Sequence, residues 1–301
     1  MNNLLQNIEN KNVQVLKGGE NAHQYAELVE FDGCLDYQIS DGKELSYNDI
    51  LDVTTALNII SEFSDVASCA FVKHSIPCGV ALGTDIKDAY LKAFDCNSLE
   101  AMSAVVAFSQ IVTKEIAMHA YKLSFKVVVA PDFEDEALNI LQKSQDVILI
   151  KLKTPFSQYK NIVEKNYTAT PFGLLAQDCD KQEFNLDEFK VATKTKPTQE
   201  QIEDMIFAFK IAKFVKSTAV VIVKDFKTLA ISAGFLGTAD AAEFALNYAV
   251  DGTKNVLNAA AQGRISAIIQ PGGSKSDENL AIWADKLNMS MVFTGIEHIR
   301  H

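Results

Sequence analysis

Short apolar segments alternate with longer amphipathic segments along this chain, and the same order of segments occurs twice. The apolar runs 66–72 and 126–130 predict buried strands, whereas 48–63 and 202–215 have helical spacing. Thr198 and Gln201, at the start of the second helix, have the spacing of a capping box. The first series returns in the second half at an offset of about 140 to 152 residues. This pattern predicts an α/β protein built from two tandem α/β/α units, although α/β proteins in general share the alternation.

Polar residues at the ends of matching segments favour an internal duplication. Lys73-His74 follows the first strand, and Lys224-Asp225 follows its counterpart. The polar stretch 193–197 separates the two halves, so we predict one unit over residues 1–192 and a second over 193–301. Residues 157–182 have little periodicity and are predicted to form a long connection within the first unit.

The charge balance argues against two classes of partner. The 301 residues include 28 basic and 39 acidic side chains, which gives a net charge of -11. An acidic chain without a long Lys/Arg run is a poor candidate for binding nucleic acid or an anionic membrane. A phosphorylated ligand would therefore be held by local cations and backbone amides.

The cysteines and the N-terminus predict a cytoplasmic protein. The five cysteines are scattered and form no Cys-x-x-Cys pair, so neither a disulfide framework nor a zinc knuckle is indicated. The N-terminal residues lack the charged and then apolar pattern of a signal peptide. No apolar run approaches the ~20 residues of a membrane span.

The segment 72–79 contains the strongest candidate for chemistry. Lys73 and His74 come where the predicted strand 66–72 ends, and they can share a site only if the chain bends there. We expect Pro77 and Gly79 to end the strand pairing and to allow that bend. One side chain could then accept a proton while the other stabilises negative charge. The alternative is a strand end with two solvated polar residues.

Other segments are weaker candidates. Gly272-Gly273 follows a predicted strand and opens a helix, which suits either an anion site or a tight turn without a ligand. His23 is either a site residue or an exposed histidine, and capping would by itself explain Asn48 near a helix start. A strand leads straight into residues 296–301, so we expect this tail to dock.

A zinc deaminase site is not predicted. Pro77-Cys78 matches half of its signature, but that chemistry needs His-x-Glu and Pro-Cys-x-x-Cys. No histidine here is followed by x-Glu, and Cys78 has no cysteine three positions later. The sequence therefore predicts no metal site.

Six segments together resemble one family, the formyltransferase part of the bifunctional purine-biosynthesis enzymes, which join AICAR transformylase to IMP cyclohydrolase. The resemblance extends in order from about Leu16 to His301, and no segment matches the cyclohydrolase domain, so we expect that activity to be absent from this chain. The matching segments are Gly19-Glu20-Asn21-Ala22-His23-Gln24, Leu45-Ser46-Tyr47-Asn48-Asp49-Ile50-Leu51, Lys73-His74-Ser75-Ile76-Pro77-Cys78-Gly79, Lys216-Ser217-Thr218-Ala219, Gln270-Pro271-Gly272-Gly273-Ser274 and the His-x-Arg-His tail.

The resemblance implies a fold, a reaction and an assembly. The implied fold is two tandem cytidine-deaminase-like units without zinc, and the implied assembly is a homodimer with active sites across the subunit interface. The implied reaction moves a formyl group from 10-formyltetrahydrofolate to the 5-amino group of AICAR, or acts on a related phosphorylated small molecule.

The resemblance also implies roles for individual residues. His74 would help to deprotonate the amine, Lys73 would stabilise the developing charge and assist the folate leaving group, and His23 would be a further site histidine. The positions implied to contact substrate are Lys17, Asn48, Met102, Ser103, Thr218, Asp251, Gly272, Gly273 and His301.

The chain departs from the family pattern at several of these positions. An arginine is replaced by Lys17, an acidic residue by Lys126 and an arginine of the tail by Glu297, while an asparagine is replaced by Thr218. The Ser-Ala-Phe-Gly-Gly segment is represented by 100–104. A charge-assisted contact contributes about 1.5–3 kcal/mol, so several losses would weaken AICAR binding. The alternative function is therefore a paralogue that is non-catalytic or has another ligand.

Overall fold

The computed structural model describes residues 12–40, 43–144, 146–183, 185–249 and 265–301, and this part is a mixed α/β structure. It forms two compact units, one from the described residues up to Cys78 with Leu82–Lys181, the other from Gly79–Ala81 with the described residues from 182 onward.

The strands and helices follow one another in the order expected for an α/β protein. The strands are β1 Val13–Val15, β2 Glu27–Val29, β3 Tyr37–Ile39, β4 Ser68–Lys73, β5 Ile76–Leu82, β6 Val105–Phe108, β7 Val127–Ala130, β8 Ile148–Leu152, β9 Lys165–Thr170, β10 Gly173–Asp178, β11 Lys190–Val191, β12 Val220–Lys224, β13 Lys227–Ser232, β14 Ala267–Gln270 and β15 Ser290–Phe293. The helices are α1 Tyr47–Ser61, α2 Ile86–Cys96, α3 Ser98–Ala101, α4 Lys114–Ala120, α5 Asp135–Leu141, α6 Phe156–Tyr159, α7 Gln199–Ala212, α8 Thr238–Ala249 and α9 Asp277–Lys286.

The first unit is organised around a large mixed sheet with the strand order β5-β4-β6-β7-β8-β3. β6, β7 and β8 are parallel, whereas β4 and β3 pair antiparallel with their neighbours. All residues of β6 and β7 are at most 1% exposed, as expected for parallel strands that are covered on both faces. The predicted strands 66–72 and 126–130 are thereby confirmed to within two residues.

The second unit contains a hairpin and a small sheet. β12 and β13 pair antiparallel, and Lys227 of β13 also pairs with Ala81. β14 and β15 run parallel, with β11 antiparallel on the other side of β15. In its core, Ala245 and Ala230 pack around Ile222, and Met291 packs against Ala284.

Two helices begin with the same capping arrangement. The Thr198 side chain accepts from the amide of Gln201, whose own side chain accepts from the Thr198 amide, as the sequence predicts for α7. Ser46 and Asp49 form the equivalent box at α1. Asn48 therefore lies near the helix start as expected, but the capping role was wrong, because Ser46 caps the helix and Asn48 lies inside the first turn.

The bend after Lys73 is not where the proline and glycine predicted it. Pro77 and Gly79 lie inside β5, and the chain reverses earlier, at His74 and Ser75. A proline fits an extended strand because its fixed φ suits that conformation, and its missing N–H matters only where the ladder requires a donor.

The segment predicted as a long connection also has structure. It contains α6 and the antiparallel hairpin of β9 and β10, with Thr170 opposite Gly173. Every residue of β10 is exposed. Since neither face of this strand is buried, its sequence has no alternation that would have predicted a strand.

The expectation that the tail docks is confirmed. Within the second unit, the amide of Ser217 donates to the carbonyl of Arg300 at 2.9 Å, and the amide of Arg300 donates to Ser217 Oγ at 3.1 Å. The Arg300 guanidinium also donates to the carbonyl of Phe214 at 3.0 Å.

Among the helices of the described residues, none is long and apolar enough to cross a membrane.

Candidate active site

Lys73 and His74 lie at a two-residue turn between β4 and β5 in the first unit. His74 and Ser75 have φ values of 55° and 59°, so both adopt the left-handed conformation that tight antiparallel hairpins require. The side chain of His74 is exposed, whereas that of Lys73 is 31% exposed. The turn therefore presents an accessible imidazole, and the lysine just before it in the chain is partly exposed.

A carboxylate from α1 holds this turn. Asp52 accepts hydrogen bonds from the backbone amides of His74, at 3.2 Å, and Ser75, at 2.5 Å. Burial raises the pKa of Asp52, although these two bonds and the positive charge of His74 act in the opposite direction. The bonds use only main-chain atoms of the turn, so the His74 imidazole is left available for chemistry.

The N-terminal loop meets α1 on the same helix face. Asn48 lies four residues before Asp52, so the two side chains share a face, and Asn48 Nδ2 donates to the carbonyl of Glu20 at 3.1 Å. The loop is closed by the amide of Gly19, which donates to the carbonyl of Gln24 at 2.9 Å. The predicted site residues Lys17 and His23 are both exposed in or beside this loop.

The segment 100–104 reaches the turn through an ion pair. Glu100 Oε2 lies 2.8 Å from Lys73 Nζ. Met102 and Ser103, the predicted substrate positions, follow it and are exposed, and Ser103 has a left-handed φ of 63°. Met102 and Ser103 therefore lie two and three residues after Glu100, whose side chain contacts Lys73 directly.

A second charged pair lies at the start of α1. Asp49 is 3% exposed, and its Oδ2 accepts from the amide and hydroxyl of Ser46. Its Oδ1 lies 2.5 Å from Lys126 Nζ, which supplies the only polar partner that the structure gives this oxygen. Lys126, where the family pattern has an acidic residue, is thus engaged by a buried carboxylate.

The remaining predicted substrate positions belong to the second unit. Thr218 follows a cis peptide bond from Ser217, and its amide donates to the carbonyl of Phe235 at 3.1 Å. The tail docks beside it through Ser217 and Arg300, and His301 is exposed at its end.

The glycine turn lies on the path of the same tail. Gly272 and Gly273 have φ values of 80° and 92°, and a Cβ at Gly272 would lie 3.1 Å from Phe293 Cγ. The amide of Gly295 donates to the carbonyl of Pro271 at 2.9 Å. Thr218, the glycine turn and His301 are therefore connected through one tail, whereas Asp251 lies outside the described residues.

Cys78 has the properties of a packing residue. Burial raises the pKa of its thiol to about 12, so it is protonated at neutral pH and is neither a nucleophile nor a thiolate ligand. Among the described residues, His, Cys, Asp and Glu form no group of three or more that could hold a metal ion.

Sequence reasoning missed Asp52 and Glu100. Asp52 had a usable signal, because an aspartate stands six residues after the capping residue in both halves, as Ser46 and Asp52 and as Thr198 and Asp204. Glu100 had no such signal in the sequence, since its contact with Lys73 depends on where the fold places α3.

Fold and site together define a mixed α/β protein with a lysine-histidine pair on a hairpin turn, an arrangement suited to proton transfer and to stabilising negative charge. The chain belongs to the AICARFT/IMPCHase bienzyme family, whose model matches residues 2–248.

Curated relatives of this chain are bifunctional purine biosynthesis proteins. The chain is 38% identical over 310 residues to the bifunctional purine biosynthesis protein PurH of Clostridium perfringens strain SM101, and 37% identical over 300 residues to PurH of Clostridium botulinum strain 657. These alignments cover 98% and 95% of this chain, but 60% and 58% of the two relatives. The chain thus spans less than two thirds of the relatives' length.

Proposed function

We propose that this chain transfers a formyl group from 10-formyltetrahydrofolate to the 5-amino group of AICAR. The observation that carries the proposal is the Lys73–His74 pair on a turn fixed by Asp52, in a chain of the AICARFT/IMPCHase bienzyme family. An aromatic amine is a poor nucleophile, so its reaction needs a base near the attacking nitrogen and a cation near the acceptor oxygen.

Each member of the pair has one part in this reaction. The amine nitrogen attacks the formyl carbon, and His74 accepts the proton that the amine loses. Lys73 stabilises the negative charge that develops on the formyl oxygen. When the bond between the formyl carbon and the folate nitrogen breaks, that nitrogen takes the proton held by His74, and tetrahydrofolate leaves. The exposure of His74 supports its role, because the imidazole is open to a substrate while the backbone holds its position.

The two units supply different substrate contacts in this proposal. The first unit provides His23 as a further site histidine, together with Lys17, Asn48, Met102 and Ser103. The second unit provides Thr218, Asp251, the glycine turn and His301. What supports the first set is its connection to α1 and to Lys73 through Glu20 and Glu100. What supports the second set is the shared tail.

The proposal extends to fold history and assembly. We infer two tandem cytidine-deaminase-like units from a duplication, because α1 with its hairpin and α7 with its hairpin repeat the same capping box and the same acid-to-turn bonds. The boundary after residue 192 stays a prediction. A homodimer with interface active sites, working in the cytoplasm without nucleic acid or membrane partners, completes the proposal.

Calorimetric titration with AICAR, followed by turnover with 10-formyltetrahydrofolate in the same preparation, tests the function. Binding with turnover that is lost in His74→Asn supports the proposal. Failure to bind at millimolar AICAR would overturn it and would favour the paralogue with another ligand or a non-catalytic role. A circular dichroism spectrum of each preparation shows that the protein compared is folded.

A further inference from the structure

The ammonium group of Lys73 already has an anionic partner. Glu100 Oε2 lies 2.8 Å from Lys73 Nζ, and the two side chains are 55% and 31% exposed. Asn97 caps the short helix α3 and accepts from the amide of Glu100, so the backbone that carries this carboxylate is fixed. The Glu100 carboxylate is thus held at the lysine and is also accessible to solvent.

Glu100 is ionised when the site is at neutral pH. The hydrogen bond and the charge of Lys73 hold the pKa of Glu100 below its ordinary value, and the charge of His74 acts in the same direction. The other charged groups around α1, Asp52 and Lys126, are engaged by the turn amides and by Asp49. Glu100 is therefore the carboxylate with which a ligand anion at Lys73 has to compete.

We propose that Glu100 is a specificity-determining residue that occupies the anion position at Lys73 and lowers the affinity of the site for ligand-borne negative charge there. The inference rests on the proposed function, in which Lys73 stabilises charge on the formyl oxygen. A developing oxyanion has to displace the carboxylate or share the ammonium with it, and its repulsion from the carboxylate adds to that cost.

The size of the effect follows from the exposure of the pair. A partly exposed ion pair contributes about 0.2–1 kcal/mol, because water competes for both charges. Removing the carboxylate is therefore expected to raise kcat/KM about 1.4- to fivefold. A residue with a merely structural role would leave kcat/KM unchanged or lower it when substituted.

The chain offers a matched control for this substitution. Lys87 Nζ and Glu115 Oε2 lie 2.6 Å apart in the same unit, with side chains that are 49% and 66% exposed. Neither residue contacts Lys73 or His74 in the contacts that the structure gives them. Glu115→Gln therefore removes an exposed ion pair of the same kind and leaves the candidate site unchanged.

The experiment compares Glu100→Gln and Glu115→Gln with the unsubstituted chain in two measurements. In the first, kcat/KM for formyl transfer to AICAR is expected to rise in Glu100→Gln and to stay unchanged in Glu115→Gln. A kcat/KM that is unchanged or lower in Glu100→Gln, with the fold intact by circular dichroism, would overturn the proposal.

The second measurement separates this proposal from the proposed function. Inorganic phosphate is titrated into each chain by calorimetry as a simple anion. Its affinity is expected to rise in Glu100→Gln and to stay unchanged in Glu115→Gln, and the gain should disappear when Lys73→Ala is added to Glu100→Gln. If the unsubstituted chain turns AICAR over poorly or not at all, the proposed function fails, but a higher phosphate affinity in Glu100→Gln that depends on Lys73 still supports the role of Glu100. An unchanged phosphate affinity in Glu100→Gln would overturn that role.

Discussion

The helix–hairpin corner of the first unit, α1 with β4 and β5, and that of the second, α7 with β12 and β13, have the same backbone and different side chains. Asp52 holds the amides of His74 and Ser75, and Asp204 holds those of Asp225 and Phe226, at 3.0 and 2.9 Å. The second turn has φ values of 52° and 55°, close to those of the first. The acid-to-turn bonds therefore belong to the fold, and the chemistry of the first corner lies in its side chains.

The two corners also differ at the third position of the capping box. Asp49 forms an ion pair with Lys126, which precedes β7, whereas Gln201 Nε2 donates to Ser266 Oγ at 2.7 Å, just before β14. Both residues link the start of a helix to the start of a parallel strand. A charged link in one unit and a neutral link in the other show that this position tolerates a change of chemistry while its geometry is kept.

The largest expected effect comes from exchanging the first turn residue. His74→Asn is expected to lower turnover about 10²- to 10⁴-fold, because it removes the proton acceptor and keeps a residue that tolerates positive φ. Asp225→Asn in the second corner is expected to leave turnover unchanged. Steady-state kinetics decide the comparison, and equal losses in both variants would show that the two turns do not differ in function.

Neutralising the acid behind each turn is the next largest change. Asp52→Asn and Asp204→Asn are each expected to cost about 1–3 kcal/mol in the free energy of unfolding, because an amide cannot accept from both turn amides as a carboxylate does. Urea unfolding measures both. Only Asp52→Asn is also expected to lower kcat, since it loosens the turn that carries His74. A kcat loss in Asp204→Asn of the same size would contradict this assignment.

The strand-side partners of the capping residues give a smaller difference. Lys126→Ala leaves a buried Asp49 oxygen without its cation and is expected to cost about 1–2 kcal/mol, whereas Ser266→Ala removes a neutral acceptor and costs about 0.5–1 kcal/mol. Thermal unfolding of both variants tests the order. Adding Asp49→Asn to Lys126→Ala is expected to restore part of the loss, because no buried charge then remains.

The smallest effect concerns the ion pair beside the first turn. Since the pKa of Glu100 is lowered by Lys73, the pair stabilises the folded chain above the ordinary carboxylate value of 4.5, and this contribution is lost as the pH falls through the lowered pKa. With both side chains exposed to water, we expect about 0.5 kcal/mol or less. Urea unfolding of the unsubstituted chain and Glu100→Gln should differ at neutral pH and converge in acid. A difference that grows in acid would contradict the sign.

Local patterns predicted much of the fold. The buried strands 66–72 and 126–130 and the Thr198–Gln201 box were readable because burial and capping act over a few neighbouring residues. The hairpin of β9 and β10 was missed because its exposed faces give no alternation. The reversal at His74 was placed too late, since neither turn residue is a glycine and the positive φ is fixed by a carboxylate 22 residues earlier.

The candidate site was predictable only in part. The Lys73–His74 pair could be found because its two members are adjacent in sequence. The bonds that position it come from Asp52 and Glu100, 22 and 27 residues away, and such contacts depend on how helices pack on the sheet. The ion pair of Asp49 and Lys126 could not be predicted either. No local pattern shows that Asp49 is buried or that Lys126 reaches it from another element.

One consequence of the acid-to-turn bonds concerns how new activities can arise on this fold. The turn is held through its amides, so natural variation can exchange the side chain at its first position without dismantling the hairpin, within the residues that accept a left-handed backbone. In each half of the chain, the side chain at the first turn position can therefore be exchanged while the turn itself is kept. A designer could place a different reactive group at Asp225 and obtain a second, independently chosen chemistry in the same molecule.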